Sequence, residues 1–120
     1  MTDKEFGKWC VKNNMFSDCN IFINYEQFAP ELAEYYPLPS LKELMKKLPK
    51  KIKYKCEIYT LVIYTITSDN YYLDYNHPAF GGLFLGFEGP LKSSIFSEVI
   101  RKTIIKLKEL ELLIWQKHKR

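Results

Sequence analysis

Few side chains in this sequence have chemistry to offer, and they are unevenly spread. His77 and His118 are the only histidines, and Cys10, Cys19 and Cys56 the only thiols, in 120 residues. A nucleophilic thiol needs a base beside it in space. His118 lies in the basic tail QKHKR, and His77 lies in the turn-forming Asn76-His77-Pro78. A turn residue is the plainer reading of His77, so no catalytic residue is assigned. Structural zinc sites use short ligand spacings such as Cys-x-x-Cys or His-x-x-x-His, and neither occurs here. No metal and no cofactor are expected. Asp69 and Asp74 straddle a predicted hairpin turn. Paired acids there can hold a cation or move a proton, but solvation of the turn is the commoner use. Three widely spaced cysteines predict reduced thiols and not a disulfide framework.

Phosphate chemistry is the other possibility. The stretch PAFGGLFLGFEGP holds four of the five glycines. It lacks Gly-x-Gly-x-x-Gly and the P-loop lysine, so it does not read as a phosphate cradle. A twisted edge strand is the first reading of it, and an adaptable contact loop the second. The run KKLPKKIKYK supplies Lys46, Lys47, Lys50, Lys51, Lys53 and Lys55, six ammonium groups in ten residues. Such a run can neutralise several phosphates with a salt-dependent affinity, and Tyr54 and Tyr59 stand beside it as stacking surfaces. No arginine, the usual residue for bidentate phosphate recognition, occurs in the run. Three readings stay open: a solvated edge whose lysines block strand pairing, a dock for an acidic protein or an RNA–protein complex, and direct contact with nucleic acid.

Charge supports a polar surface. The net charge of +4 hides four blocks: residues 1–36 carry −3, 37–56 carry +6, 57–99 carry −4 and 100–120 carry +5. If the basic blocks meet, the molecule is dipolar and steers a charged partner onto one face. Arg101 and Lys102 open the second basic block. The aromatic share of 16% argues for a folded chain, because disordered chains are poor in aromatics. No apolar run approaches the 18 or so residues that span a membrane, and the first residues lack a signal-peptide core. The expected compartment is the cytoplasm, with no membrane partner. At this length the chain is expected to form one compact domain, 1–120.

The elements that must position these residues follow from period and punctuation. Thr2 and Glu5 have capping-box spacing, which predicts a helix over 3–13 with Phe6, Trp9 and Cys10 on one face. NIFINY at 20–25 reads as a strand, and 31–36 as a helical turn closed by Pro37 and Pro39. Ser40 and Glu43 repeat the capping box before an amphipathic helix carrying Leu41, Leu44, Met45 and Leu48. Residues 52–67 read as a β-strand with Lys53 and Lys55 on one face, and 71–75 as its return strand. A strand is also predicted over 82–87. From Ser93 or Ser94 to about 116 a helical stripe places Val99, Ile104 and Leu107 inward. The fold class is α+β: a mostly antiparallel sheet of three to four strands packed against a long C-terminal helix, with two shorter helices.

KEFGKWCVKNN, FAPELAEYYPLPSLKELMKKLP, and the tyrosine-rich strands before the last helix together resemble a class of small accessory proteins of phage and prophage. The matching residues are Trp9, Cys10, Pro39, Ser40, Leu44, Leu48 and Pro49. The resemblance covers most of the chain and carries no catalytic residues. The lysines after Leu48 depart from it. It implies a non-enzymatic protein that binds and disables a host defence effector, as anti-CRISPR proteins do to RNA-guided nucleases, an RNA-targeting type VI enzyme among them. Lysines 46–55 with Arg101 and Lys102 are then the partner-binding surface, and the partner is a host protein effector or ribonucleoprotein. The rival class is a small RNA- or DNA-binding accessory protein using the basic 46–55 surface.

Overall fold

In the computed structural model, which describes residues 1–24, 35–66, 69–85 and 89–113, Thr2 opens the first helix as its spacing predicts. Its hydroxyl accepts the Glu5 N–H at 3.1 Å, and helix α1 runs over Asp3–Lys12. Asn13 caps its end, and Asn14 takes the left-handed conformation with φ 54°. Strands β1 (Phe22–Asn24) and β2 (Tyr35–Pro37) pair antiparallel. Residues 35 and 36, expected in a helical turn, are therefore extended, and 31–34 lie outside the described residues. The Ser40–Glu43 capping box forms in both directions, at 3.1 and 3.2 Å, and opens α2 (Leu41–Lys47). Of the predicted stripe only Leu44 and Leu48 are buried; Leu41 and Met45 are exposed.

Contacts divide the chain into two compact units, Met1–Lys46 and Lys47–Arg120. The first buries Phe6, Cys10, Phe16 and Tyr36. Phe6 sits between Trp9 and Phe16, with ring centroids 5.7 and 6.1 Å away. Gly7 lets α1 approach β2 closely: a Cβ there would lie 2.6 Å from Tyr36 Cβ.

The second unit is a meander. Strands β3 (Lys51–Tyr54), β4 (Glu57–Tyr64) and β5 (Tyr71–His77) pair antiparallel in sequence order. The predicted single strand over 52–67 is broken at Lys55–Cys56. Both residues have positive φ, 48° and 67°, and form a two-residue hairpin turn without the usual Asn-Gly signal. Strand β5 continues through Asn76 and His77, which were expected to end it. Two short strands, β6 (Gly81–Gly82) and β7 (Leu91–Ser93), pair with opposite ends of β5. Five strands thus occupy four lanes. The strand predicted over 82–87 shrinks to β6: residues 83–85 are irregular, and 86–88 lie outside the described residues.

Register assigns the faces. Cross-strand partners Ile52↔Tyr59, Leu61↔Tyr75 and Ile63↔Leu73 share one face, and Ile52, Tyr59, Tyr75 and Leu73 on it are buried. Helix α3 (Phe96–Glu109) packs there: Phe96 meets Tyr71 edge-to-face at 5.2 Å, and Val99, Ile100, Ile104 and Leu107 are fully buried. Its N-cap is Ile95, without a side-chain cap, and not Ser93 or Ser94 as predicted; the Ser93 hydroxyl accepts the Ile95 N–H at 3.1 Å in the turn before it. It ends at Glu109, short of the predicted end, and Ile114 lies outside the described residues. At about 1.5 Å per residue its length is about 21 Å. The Tyr75 hydroxyl donates to the Pro49 carbonyl at 2.6 Å and ties the sheet centre to the segment entering β3. Burial pushes that hydroxyl's pKa upward. The architecture is α+β, as predicted, and among the described residues no helix is long and apolar enough to cross a membrane.

Two substitutions test this packing. Leu107→Ala removes a fully buried side chain and should cost about 2–5 kcal/mol in denaturant unfolding. Gly7→Ala should destabilise despite alanine's better helix propensity of about 1 kcal/mol, because overpacking costs about 1–3 kcal/mol. A rise in thermal midpoint would show that α1 and β2 can separate freely.

Candidate functional site

The sheet face away from α3 is open. Alternation puts Lys51 and Lys53 of β3, Ile58, Thr60, Val62 and Tyr64 of β4, Tyr72, Asp74 and Asn76 of β5, and Lys92 of β7 on it. Lys51, Lys53, Ile58, Thr60, Asn76 and Lys92 are exposed. Tyr64 and Tyr72 are cross-strand partners whose rings stack at 5.4 Å with a 14° interplanar angle. The face thus carries lysines on its two outer lanes, hydroxyl and amide groups in the middle, and an aromatic pair at one end.

Asp74 is the acid among the described strand residues of this face, and it is buried, with 3% exposure. Its carboxylate accepts the Phe84 N–H at 3.1 and 3.2 Å. A Cβ on Gly82 would collide with that carboxylate and come within 3.2 Å of the Phe84 ring. Glycine here makes room for the acid, and Phe84, at φ 56°, turns its ring over the gap. Burial raises the Asp74 pKa; the N–H groups of Tyr75, Phe84 and Leu85 oppose this without cancelling it. The Tyr64 hydroxyl is also held above its ordinary value, first by burial, then by the Asp74 charge and Tyr72. The pair of acids read as straddling the turn thus separates: Asp69 is exposed, and Asp74 serves as an anchor for the segment after β6.

Of the predicted partner-binding residues, Lys46, Lys47, Lys50, Lys51, Lys53 and Lys55 are all exposed. They do not form one array. Lys46 and Lys47 lie on α2, and only Lys51 and Lys53 share a strand face. Lys55 falls in the turn, and its ammonium sits 5.3 Å from the Tyr54 ring centroid. Arg101 does not stand on the surface: it is buried, at 8% exposure, within α3. Lys102 follows it on the helix layer and does not join the open face. Tyr54 and Tyr59, the expected stacking surfaces, contact each other edge-to-face at 6.1 Å on the helix-covered side, with Tyr59 buried. On the open side the stacked rings are those of Tyr64 and Tyr72, with Lys92 the cross-strand partner of Tyr72. Alternation in the hairpin would have found them, had the turn at residues 55–56 carried a recognisable signal.

His77 is fully occupied. Its Nδ1 accepts the N–H groups of Ala79 and Phe80 at 3.0 and 3.3 Å, which leaves the proton on Nε2, 2.9 Å from the Glu57 carboxylate. Phe80 stacks on the ring at 4.6 Å. His77 is thus the last residue of β5 and not a turn residue, and its ring holds the turn that follows. Cys10 and Cys19 are buried and Cys56 is exposed. Among the described residues no three His, Cys, Asp or Glu side chains gather as a metal-holding group. A cleft of about 240 Å³ is lined by Tyr54, Leu83, Phe84, Leu85, Lys106 and Leu110.

No family model, no curated protein and no solved structure matches this chain.

The Asp74 anchor gives a signed pH dependence. Its folded pKa stands above the unfolded value of about 3.9. Its contribution to stability is therefore full below that value and falls as pH rises towards the folded pKa, because the unfolded chain ionises first. The stability of the parent relative to Asp74→Asn should decline as pH rises through the unfolded value of about 3.9 towards the higher folded pKa in denaturant titrations. A difference that stays flat or grows with pH would show that burial does not govern this acid.

Proposed function

We propose that this chain is a non-enzymatic binding protein of the inhibitor kind, one that docks on the polyanionic surface of a host defence effector. An RNA-guided nuclease, a ribonucleoprotein that an anti-CRISPR protein would disable, has the required chemistry. The observation that carries the reading is the open sheet face: Lys51, Lys53 and Lys92 stand exposed on it, while its strand acid, Asp74, is buried and occupied by backbone donors. Exposed Lys46, Lys47 and Lys50 add positive charge to the same stretch of sequence. The engaged nitrogens of His77 support a structural and not a catalytic use of that residue. The phage-type setting rests on the resemblance of sequence pattern alone, and the cytoplasm of the host cell follows from it.

Charge on flexible lysines steers encounter more than it builds affinity. Replacing Lys46, Lys47, Lys50, Lys51 and Lys53 with Gln should leave the thermal midpoint nearly unchanged, since isolated surface changes shift stability by less than about 0.5 kcal/mol each. The on-rate for the effector should fall, and so should its salt dependence. Affinity capture from a bacterial lysate, with and without nuclease, is the measurement. A ribonucleoprotein effector retained by the parent and lost by the Gln variant is the expected outcome. Equal capture by both would make the lysines a solvated edge and sink the reading.

A further inference from the structure

We propose that the open face of the second unit's sheet binds single-stranded RNA, with phosphates on Lys51, Lys53 and Lys92 and bases on Tyr64, Tyr72 and Phe84. This deepens the reading above and rests on it: it names the chemistry of the effector that the face would touch. The argument begins with spacing. Lys51 and Lys53 lie on the edge lane β3, and Lys92 lies three lanes away on β7. At about 4.8 Å per lane the two cationic borders are about 14 Å apart. The Tyr64–Tyr72–Lys92 row stands four residues along the strands from the Lys51–Thr60–Asn76 row, or about 13 Å. That area fits a few nucleotides laid diagonally from one border to the other.

The side chains inside that area match an unpaired strand. Base–aromatic stacking tolerates any sequence because every base has a π-face. Tyr64 and Tyr72 present such a platform, and Phe84, 61% exposed, offers a separate ring beside Gly82, in the Asn76 row. Thr60 and Asn76, both exposed between the lysines and the rings, carry hydrogen-bonding groups at the height where a ribose 2′-hydroxyl would pass. A duplex would engage only the lysines, since its bases are stacked on one another and not available to the rings. The carboxylate that would repel phosphate is buried and occupied by the Phe84 N–H. An acidic protein surface would satisfy the lysines, but it would leave the stacked tyrosines and Phe84 without a matching partner.

The test uses the full chain and a fluorescein-labelled oligouridine of about 10 nucleotides in a salt series. The parent should bind it, and more tightly than the equal-length oligodeoxythymidine or an RNA duplex. A triple variant Lys51→Gln, Lys53→Gln, Lys92→Gln should weaken binding and flatten the slope of log affinity against log salt by about 2. Tyr72→Leu should lower affinity about tenfold with the slope unchanged. Phe84→Leu, at an exposed position, gives the same readout if the tyrosine change disturbs the fold. No binding by the parent at low salt overturns the proposal, as does binding that both the lysine and the aromatic variants leave intact. Equal affinity for the deoxy strand or the duplex overturns the assignment to single-stranded RNA. An effector still captured after nuclease by a chain without oligouridine affinity overturns this inference alone and leaves the protein-docking reading standing.

Discussion

The register of one hairpin governs everything on the larger unit. Lys55 and Cys56 sit in left-handed conformations that cost non-glycine residues about 1–3 kcal/mol each. The pairing on either side holds them there: Ile52 against Tyr59 and Tyr54 against Glu57. A slip of one residue would send Ile52 into water and Lys51 and Lys53 into the core. Burial of Ile52, Leu73 and Tyr75 under α3 therefore fixes the register, and the register puts the lysines and Tyr64 on the other side. The open face is a consequence of how the closed face is packed.

The fourth lane shows the same dependence at smaller scale. Strands β6 and β7 are too short to hold a lane alone, with two and three residues. Between them the chain leaves the ladder at Leu83, whose N–H still reaches the Tyr75 carbonyl at 3.0 Å. Asp74 then takes the next N–H with its side chain. A buried charge is costly in itself, and backbone donors offset part of that cost. Gly82 is required because the carboxylate lies where a Cβ would be. One acid, one glycine and one positively turned phenylalanine replace two rungs of sheet, and they leave an aromatic ring standing over the open face.

Elements that announce themselves locally were legible in the sequence. The Ser40–Glu43 capping box forms in both directions, and Thr2 caps α1 through the Glu5 N–H. The stripe of α3 puts Val99, Ile104 and Leu107 in the core. What was not legible depends on non-local geometry. Nothing in Lys55-Cys56 signals a turn, so β3 and β4 read as one strand and Lys55 is assigned to the wrong face. Glycines at 81 and 82 suggest a longer strand because the constraint on Gly82 comes from Asp74, eight residues earlier. Arg101 reads as a surface charge from composition, yet its place on the helix is next to Ile100 on the buried side. The site itself was half visible: the lysine run was seen, but its tyrosine partners were sought among neighbours in sequence, and pairing across the hairpin supplies them from residues 64 and 72.

Edge protection and partner binding make overlapping demands on Lys51 and Lys53. A charged edge strand discourages another strand from adding to the sheet, and β3 is the edge of this one. That role explains lysine at either position. It also allows lysine at position 92, because β7 lies on the opposite edge, but it does not account for the stacked tyrosine pair beside it. Protection needs charge on the edge backbone, where a strand would pair. A bound polyanion needs charge at both borders of the face and an uncharged, stackable middle. Lysines on both edge lanes meet either demand; the stacked tyrosines and the strand acid withdrawn from solvent are the features that edge protection does not require. Lysine in place of arginine is consistent with contacts to phosphate as a point charge and not as a bidentate fork, so the face would hold a strand by its backbone and its stacking without reading its sequence.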